Sequence, residues 1–266
     1  MEKYLGYDAA LYLTAQYLWL LHGHRTPLSG ILPHWDYWPW VPRRRAYQDR
    51  LPPFKLNCFI QAKRCGIGKR LPKRLAALGS KRPFYRFEID EEQQGVLEAT
   101  ARILSDRALF IYAAPVFGTT QALFSHMTDG TIVEQSTFPN VLTLATHKAW
   151  YYNEPGAAGV PNPDYERVEL PTLSERLDRL LREHGNQQTS SSEELVMLSS
   201  TINKAVLSDI PVTVSGRRAH LAEDWRRIAR YAEQVELPRA ATAFLEIDAF
   251  ARRFNLEWFV VGTRAA

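Results

Sequence analysis

Two cysteines, Cys58 and Cys65, are too few for a disulfide framework or a four-cysteine metal site. Long apolar runs are missing as well. Ala9–Leu21 comes closest to one, but Thr14 and Gln16 interrupt it, and it falls short of the roughly 20 residues that span a bilayer. The opening residues carry neither a basic stretch nor a small-residue cleavage site, so no secretory signal and no membrane partner are expected. The expected compartment is a reducing cytoplasm, where Cys58 serves as a small hydrophobe within an apolar strand. Gly66-Ile67-Gly68-Lys69 lacks the GxxxxGK[ST] spacing of a nucleotide-phosphate loop. His22 and His24 sit by a glycine-rich turn with no cysteine nearby, while His126 and His147 are far apart, so no histidine metal site is built on them. Internal repeats and RNA-recognition signatures are absent too. Hydrophobic residues make up 45% of the chain and aromatics 12%, which is enough for a packed core and excludes whole-chain disorder.

Charge is unevenly spread. Residues 41–90 hold 14 Lys and Arg against 3 acids, a net +11; the whole chain is +4, so the remainder is −7. A basic block inside an otherwise acidic chain is the electrostatic footprint of a phosphate-binding face. Arg43, Arg44, Arg45, Arg64, Lys69, Arg70, Lys73 and Arg74 are its candidate nucleic-acid contacts. Upstream, Trp35, Trp38 and Trp40 are suited to stacking on unpaired bases or, equally, to the core or a protein interface.

The clearest strand is Phe54–Lys63, where apolar and polar residues alternate after the Pro52-Pro53 pair. A shorter strand is expected at Ala9–Leu13. Arg64–Arg82 reads as a basic loop or broken helix, interrupted by Gly66, Gly68, Pro72 and Gly79. Asp90 or Glu91 can cap a helix running to about Asp106, with Val96, Leu97, Ala101 and Leu104 on one face; Gln93 and Gln94 in its first turn could approach a metal site, but are expected to face solvent. Ala108–Ala113 reads as a buried strand ended by Pro115, with Tyr112 and Pro115 serving packing. A helix is expected at Thr119–Met127, and Thr131–Val133 and Thr143–Ala145 flank a loop. Prolines and glycines at 153–163 suggest a linker. Beyond it come a charged amphipathic helix over Thr172–His184, a polar loop over 185–192, a mostly helical tail from Glu193, and a last strand at 257–261. The chain is thus expected to have two domains, 1–155 and a mostly helical 156–266 that could bind a partner protein or form a homo-oligomer.

Positions i and i+2 of a strand face the same way, so Gln61 and Lys63 share one side. Phosphodiester hydrolysis calls for a metal that activates water and an ammonium or guanidinium that stabilises the developing charge. Mg²⁺ takes oxygen ligands, and the Gln61 amide offers one beside the Lys63 ammonium. The string Gln61-Ala62-Lys63-Arg64 after an apolar strand resembles the Mrr-like branch of the PD-(D/E)xK restriction-endonuclease-like superfamily, in which glutamine often replaces the acidic residue. Glu2-Lys3-Tyr4-Leu5-Gly6-Tyr7-Asp8-Ala9 is similar to another element of that superfamily. The resemblance covers roughly residues 1–115. It implies an α/β fold with a mixed β-sheet flanked by helices, Asp8 as metal ligand, Glu2 as accessory ligand, and Gln61 and Lys63 as the catalytic pair. It also implies Mg²⁺ or Mn²⁺ as cofactor and DNA, with RNA as the alternative, as substrate. By analogy the role is that of a prokaryotic defence effector, active or retained as a binding-only scaffold subunit. Asp8 lies 53 positions before Gln61, so Asp36, 25 before it, and Asp49, 12 before it, remain rivals for the metal aspartate.

Overall fold

The computed structural model describes residues 54–156, 158–184, 191–208, 216–234 and 236–262. The expected strand at Ala9–Leu13, the tryptophan segment and the triple arginine lie outside them. The described residues divide into two units. Phe54–Asn57 group with everything from Ser191 onward as unit 1, and Cys58–His184 form unit 2.

Strand β1 (Phe54–Ala62) runs across that division. Unit 2 continues with β2 (Gly66–Ile67), α1 (Lys73–Ala77), β3 (Tyr85–Glu88), α2 (Glu91–Leu104) and β4 (Ala108–Pro115). Next come α3 (Thr120–Thr128), β5 (Ser136–Thr137), β6 (Ala149–Tyr152), β7 (Ala158–Asn162), β8 (Val168–Glu169) and α4 (Leu173–His184). The class is mixed α/β. One sheet runs β5-β4-β1 within this unit, and a second, antiparallel one runs β2-β3-β6-β7-β8.

Alternation along β1 predicts one buried face, yet Cys58, Phe59 and Gln61 are all buried, on both sides of the strand. The polar residues of β1 are enclosed as well, Asn57 and Gln61 both being buried. Phe59 stacks on Phe110 of β4 at 4.6 Å between centroids, and Phe87 of β3 meets Tyr112 at 5.4 Å, so one apolar layer spans β3, β4 and β1. Helix α2 covers this layer with Val96, Leu97, Ala101 and Leu104, the face expected from the sequence. Its N-cap is Asp90, whose Oδ1 accepts from Gln93 N at 3.0 Å.

The expected linker at 153–163 is instead the hairpin that brings β7 back against β6, with Trp150 opposite Pro161. Around it Leu75 of α1, Phe84, Ala149, Tyr151 and Val160 form a second small core. Two glycines are required there. A Cβ on Gly68 would fall 1.8 Å from Phe84 Cζ, and one on Gly159 would fall 2.0 Å from Trp150 Cζ2.

Unit 1 contains α5 (Ser191–Ser208), α6 (Gly216–Gln234), α7 (Arg239–Arg253) and β9 (Glu257–Gly262), which matches the expected helical tail and last strand. Leu221, Trp225, Ile228 and Ala232 recur at helical spacing on the buried face of α6, and Phe244, Ile247, Phe250 and Ala251 do so on α7; Ala229 is exposed. Trp225 Nε1 donates to the Glu246 carbonyl at 3.0 Å, and Trp258 Nε1 of β9 donates to Asn57 Oδ1 at 3.0 Å. No helix among the described residues is long and apolar enough to cross a membrane.

Candidate active site at the end of the first strand

Phe59, Gln61 and Lys63 alternate onto the side of β1 that carries the Phe59–Phe110 stack. Lys63 leaves the strand with its backbone N–H still donating to Ala113 O at 2.8 Å, which fixes its position against β4. Its Nζ stands 5.2 Å from the centroid of the Tyr112 ring, within cation–π range. Gln61 is 4% exposed, and its Oε1 is buried with no hydrogen-bond partner among the described residues. Buried amide oxygens are nearly always partnered, so this one marks a position where an additional group would be held.

Behind Lys63 lies a polar chain that the sequence did not announce. Tyr112 donates its hydroxyl to Gln94 Oε1 at 2.5 Å, and Gln94 Nε2 donates to Val141 O at 2.9 Å. Gln93 and Gln94 were expected to face solvent; both are buried, because the first turn of α2 is pressed onto β4 instead of standing free. Burial, and after it the charge of Asp90, push the Tyr112 phenol well above its ordinary range, so it stays protonated and remains a donor. Tyr112 was expected only to pack. It does pack, fully buried, and it also ties Lys63 to Gln94. The available signal was a hydroxyl-bearing residue in an otherwise apolar strand, opposite a glutamine pair on a capped helix.

Of the candidate phosphate contacts, Arg64, Lys69, Arg70, Lys73 and Arg74 are exposed, and none forms an ion pair with an acid among the described residues. The Arg74 guanidinium lies over the Tyr165 ring at 5.4 Å. Arg43, Arg44 and Arg45 lie outside the described residues, as do Glu2, Asp8, Asp36 and Asp49. Among the described residues no group of three or more His, Cys, Asp or Glu could hold a metal ion. The Gln61 amide oxygen does fit one ligand position of a hard cation: it is an oxygen donor, buried and without a partner.

Both thiols are buried and held toward the protonated form. Burial pushes Cys58 up to about 12, and Cys65, also raised by burial, donates to Phe117 O at 3.0 Å. No family model, curated protein or solved structure matches the chain.

Proposed function

We propose that the chain is a divalent-metal-dependent endonuclease that hydrolyses DNA phosphodiester bonds, with a restriction-endonuclease-like core of the PD-(D/E)xK type. Gln61 and Lys63 are its QxK pair, and Asp8 and Glu2 its carboxylates. The observation that carries this reading is the pairing of a buried, unpartnered Gln61 oxygen with the Lys63 ammonium at the same strand end. Mg²⁺ or Mn²⁺, when bound, supplies Lewis acidity and an activated water. The chain's own residues do the rest. The Lys63 ammonium, steadied by the Tyr112 ring, stabilises charge developing on the phosphate oxygens. Gln94 fixes the Tyr112 hydroxyl, and so the ring on which Lys63 rests. Arg64 and the cations after it hold the flanking phosphates. The prokaryotic defence role rests on the sequence resemblance, and a partner subunit or second copy would dock through the helical C-terminal region.

The test is nicking of supercoiled plasmid and cutting of single-stranded DNA and RNA with Mg²⁺, Mn²⁺ or EDTA. Wild type is expected to cut DNA only with metal, and Lys63→Ala to lose at least about a hundredfold in rate, the scale of losing one charge-stabilising donor. Loss in Asp8→Ala as well assigns the aspartate, whereas retention there moves it to Asp36 or Asp49. A wild type that binds DNA but cuts nothing overturns the enzymatic reading in favour of a binding subunit.

A further inference from the structure

Beyond Lys63 the chain runs alongside the segment that follows β4. The Lys63 N–H bonds Ala113 O, the Cys65 thiol bonds Phe117 O, and a Cβ on Gly118 would lie 3.3 Å from Ile67 Cδ1. These three contacts lead from the candidate active site to the start of α3. That helix is unusual for its surroundings. Thr120–Thr128 contains no Asp, Glu, Lys or Arg and buries no residue. Phe124 and Met127, one turn apart, are 42% and 40% exposed, and Ile67 and Val133 are each 54% exposed. Isolated exposed apolar residues need no explanation, but Phe124 and Met127 share a helix without charged residues whose approach, at Gly118, lies against Ile67 of the cation-rich segment.

The neighbouring charge selects the occupant. Arg64, Lys69 and Arg70 flank Ile67 in the sequence, are exposed, and have no acidic partner among the described residues. A complementary ligand must therefore be anionic along its length and apolar on its faces. Continuous duplex offers phosphates but hides its base faces in the stack. A single strand presents both, phosphates to the cations and bases to Phe124 and Met127.

We infer that α3 and the tip of β2 form a stacking platform for unpaired bases, so the substrate of the Lys63 site is single-stranded or frayed DNA in preference to continuous duplex. This rests on the nucleic-acid reading of that site. The cations hold the backbone, while Phe124 and Met127 take one or two bases as the strand passes toward Lys63.

The experiment is fluorescence anisotropy with the full chain in EDTA, using labelled oligo(dT) and a blunt hairpin duplex of equal nucleotide number. Wild type is expected to bind oligo(dT) at least about tenfold tighter than the hairpin. Phe124→Ser/Met127→Ser is expected to lose about tenfold on oligo(dT) while its hairpin affinity is unchanged. Its thermal melting is also expected to be unchanged, since neither side chain is buried. Equal binding of oligo(dT) by variant and wild type overturns the proposal. So does a wild type that binds no oligo(dT) but self-associates through this face, read as a dimer that the variant abolishes in light scattering. Repeating the comparison with Mg²⁺ and with Lys63→Ala separates the two readings. Single-strand preference without cleavage sinks the nuclease and leaves the platform standing; cleavage indifferent to Phe124 and Met127 does the reverse.

Discussion

Gly68 and Gly159 occupy positions where backbone meets the face of an aromatic ring, and neither admits a methyl group without moving Phe84 or Trp150. Gly68→Ala and Gly159→Ala are each expected to lower stability by about 1–3 kcal/mol, the usual cost of overpacking. Gly95, on the exposed side of α2 with nothing near its Cβ position, provides the contrast. Gly95→Ala is expected to raise stability by about 0.5–1 kcal/mol, because alanine is the better helix former. Chemical denaturation of the three variants checks both signs. At the candidate site, Tyr112→Phe leaves Gln94 Oε1 buried without its donor, an expected cost of about 1–3 kcal/mol. The ring face under Lys63 survives that change, so cleavage per folded molecule is expected to persist. A loss of cleavage equal to that of Lys63→Ala, measured at a temperature where both variants remain folded, would assign the hydroxyl a chemical role.

The elements legible in the sequence are those with a local cause. Asp90 announces the start of α2, the apolar stripes of α6 and α7 declare their buried faces, and the run from Ala108 reads as a strand. The elements that escaped notice depend on distant partners. Ala149–Tyr152 is buried at all four positions, so no alternation marks it, and Pro161 disguises β7 as linker. Proline is tolerated at that point because β8 pairs only with Ala158 and Gly159, leaving Pro161 without a neighbour on that side. The same reason hid half of the candidate site. Strand parity places Gln61 beside Lys63, but Gln94 is buried by bonds to Tyr112 and Val141, 18 and 47 residues away. Helix pairing in unit 1 carries a pH signature. Glu246 of α7 accepts from Ser199 of α5, yet burial holds its carboxyl above the usual glutamate range, and burial raises Asp248 and Glu257 likewise. A raised folded-state value gives stability that is complete below the ordinary range and is lost as pH climbs through the raised value. Glu246→Gln is therefore expected to melt higher than wild type at about pH 7 and level with it at about pH 4. A constant difference across that range would assign the effect to packing instead of ionisation.

For the whole molecule, the feature that governs encounter with a polyanion is the cationic stretch of residues 63–86, with no acid before Glu88. Replacing Lys69 and Arg70 by glutamine is expected to flatten the salt dependence of DNA binding by about two in the log–log slope. An unchanged slope would place the phosphate path elsewhere on the surface. The division into units adds a constraint of a different kind. Residues 58–184 are continuous in the chain, whereas unit 1 is assembled from a short piece before them and a long piece after. On the ribosome, then, Lys63 and the residues Tyr112 and Ala113 that meet it emerge before the helices of the other unit. During synthesis Asn57 must wait for Trp258 across the entire intervening unit. The strand that leads to the candidate pair belongs to both units, so β4 can set its register before Trp258, which holds Asn57, has been synthesised.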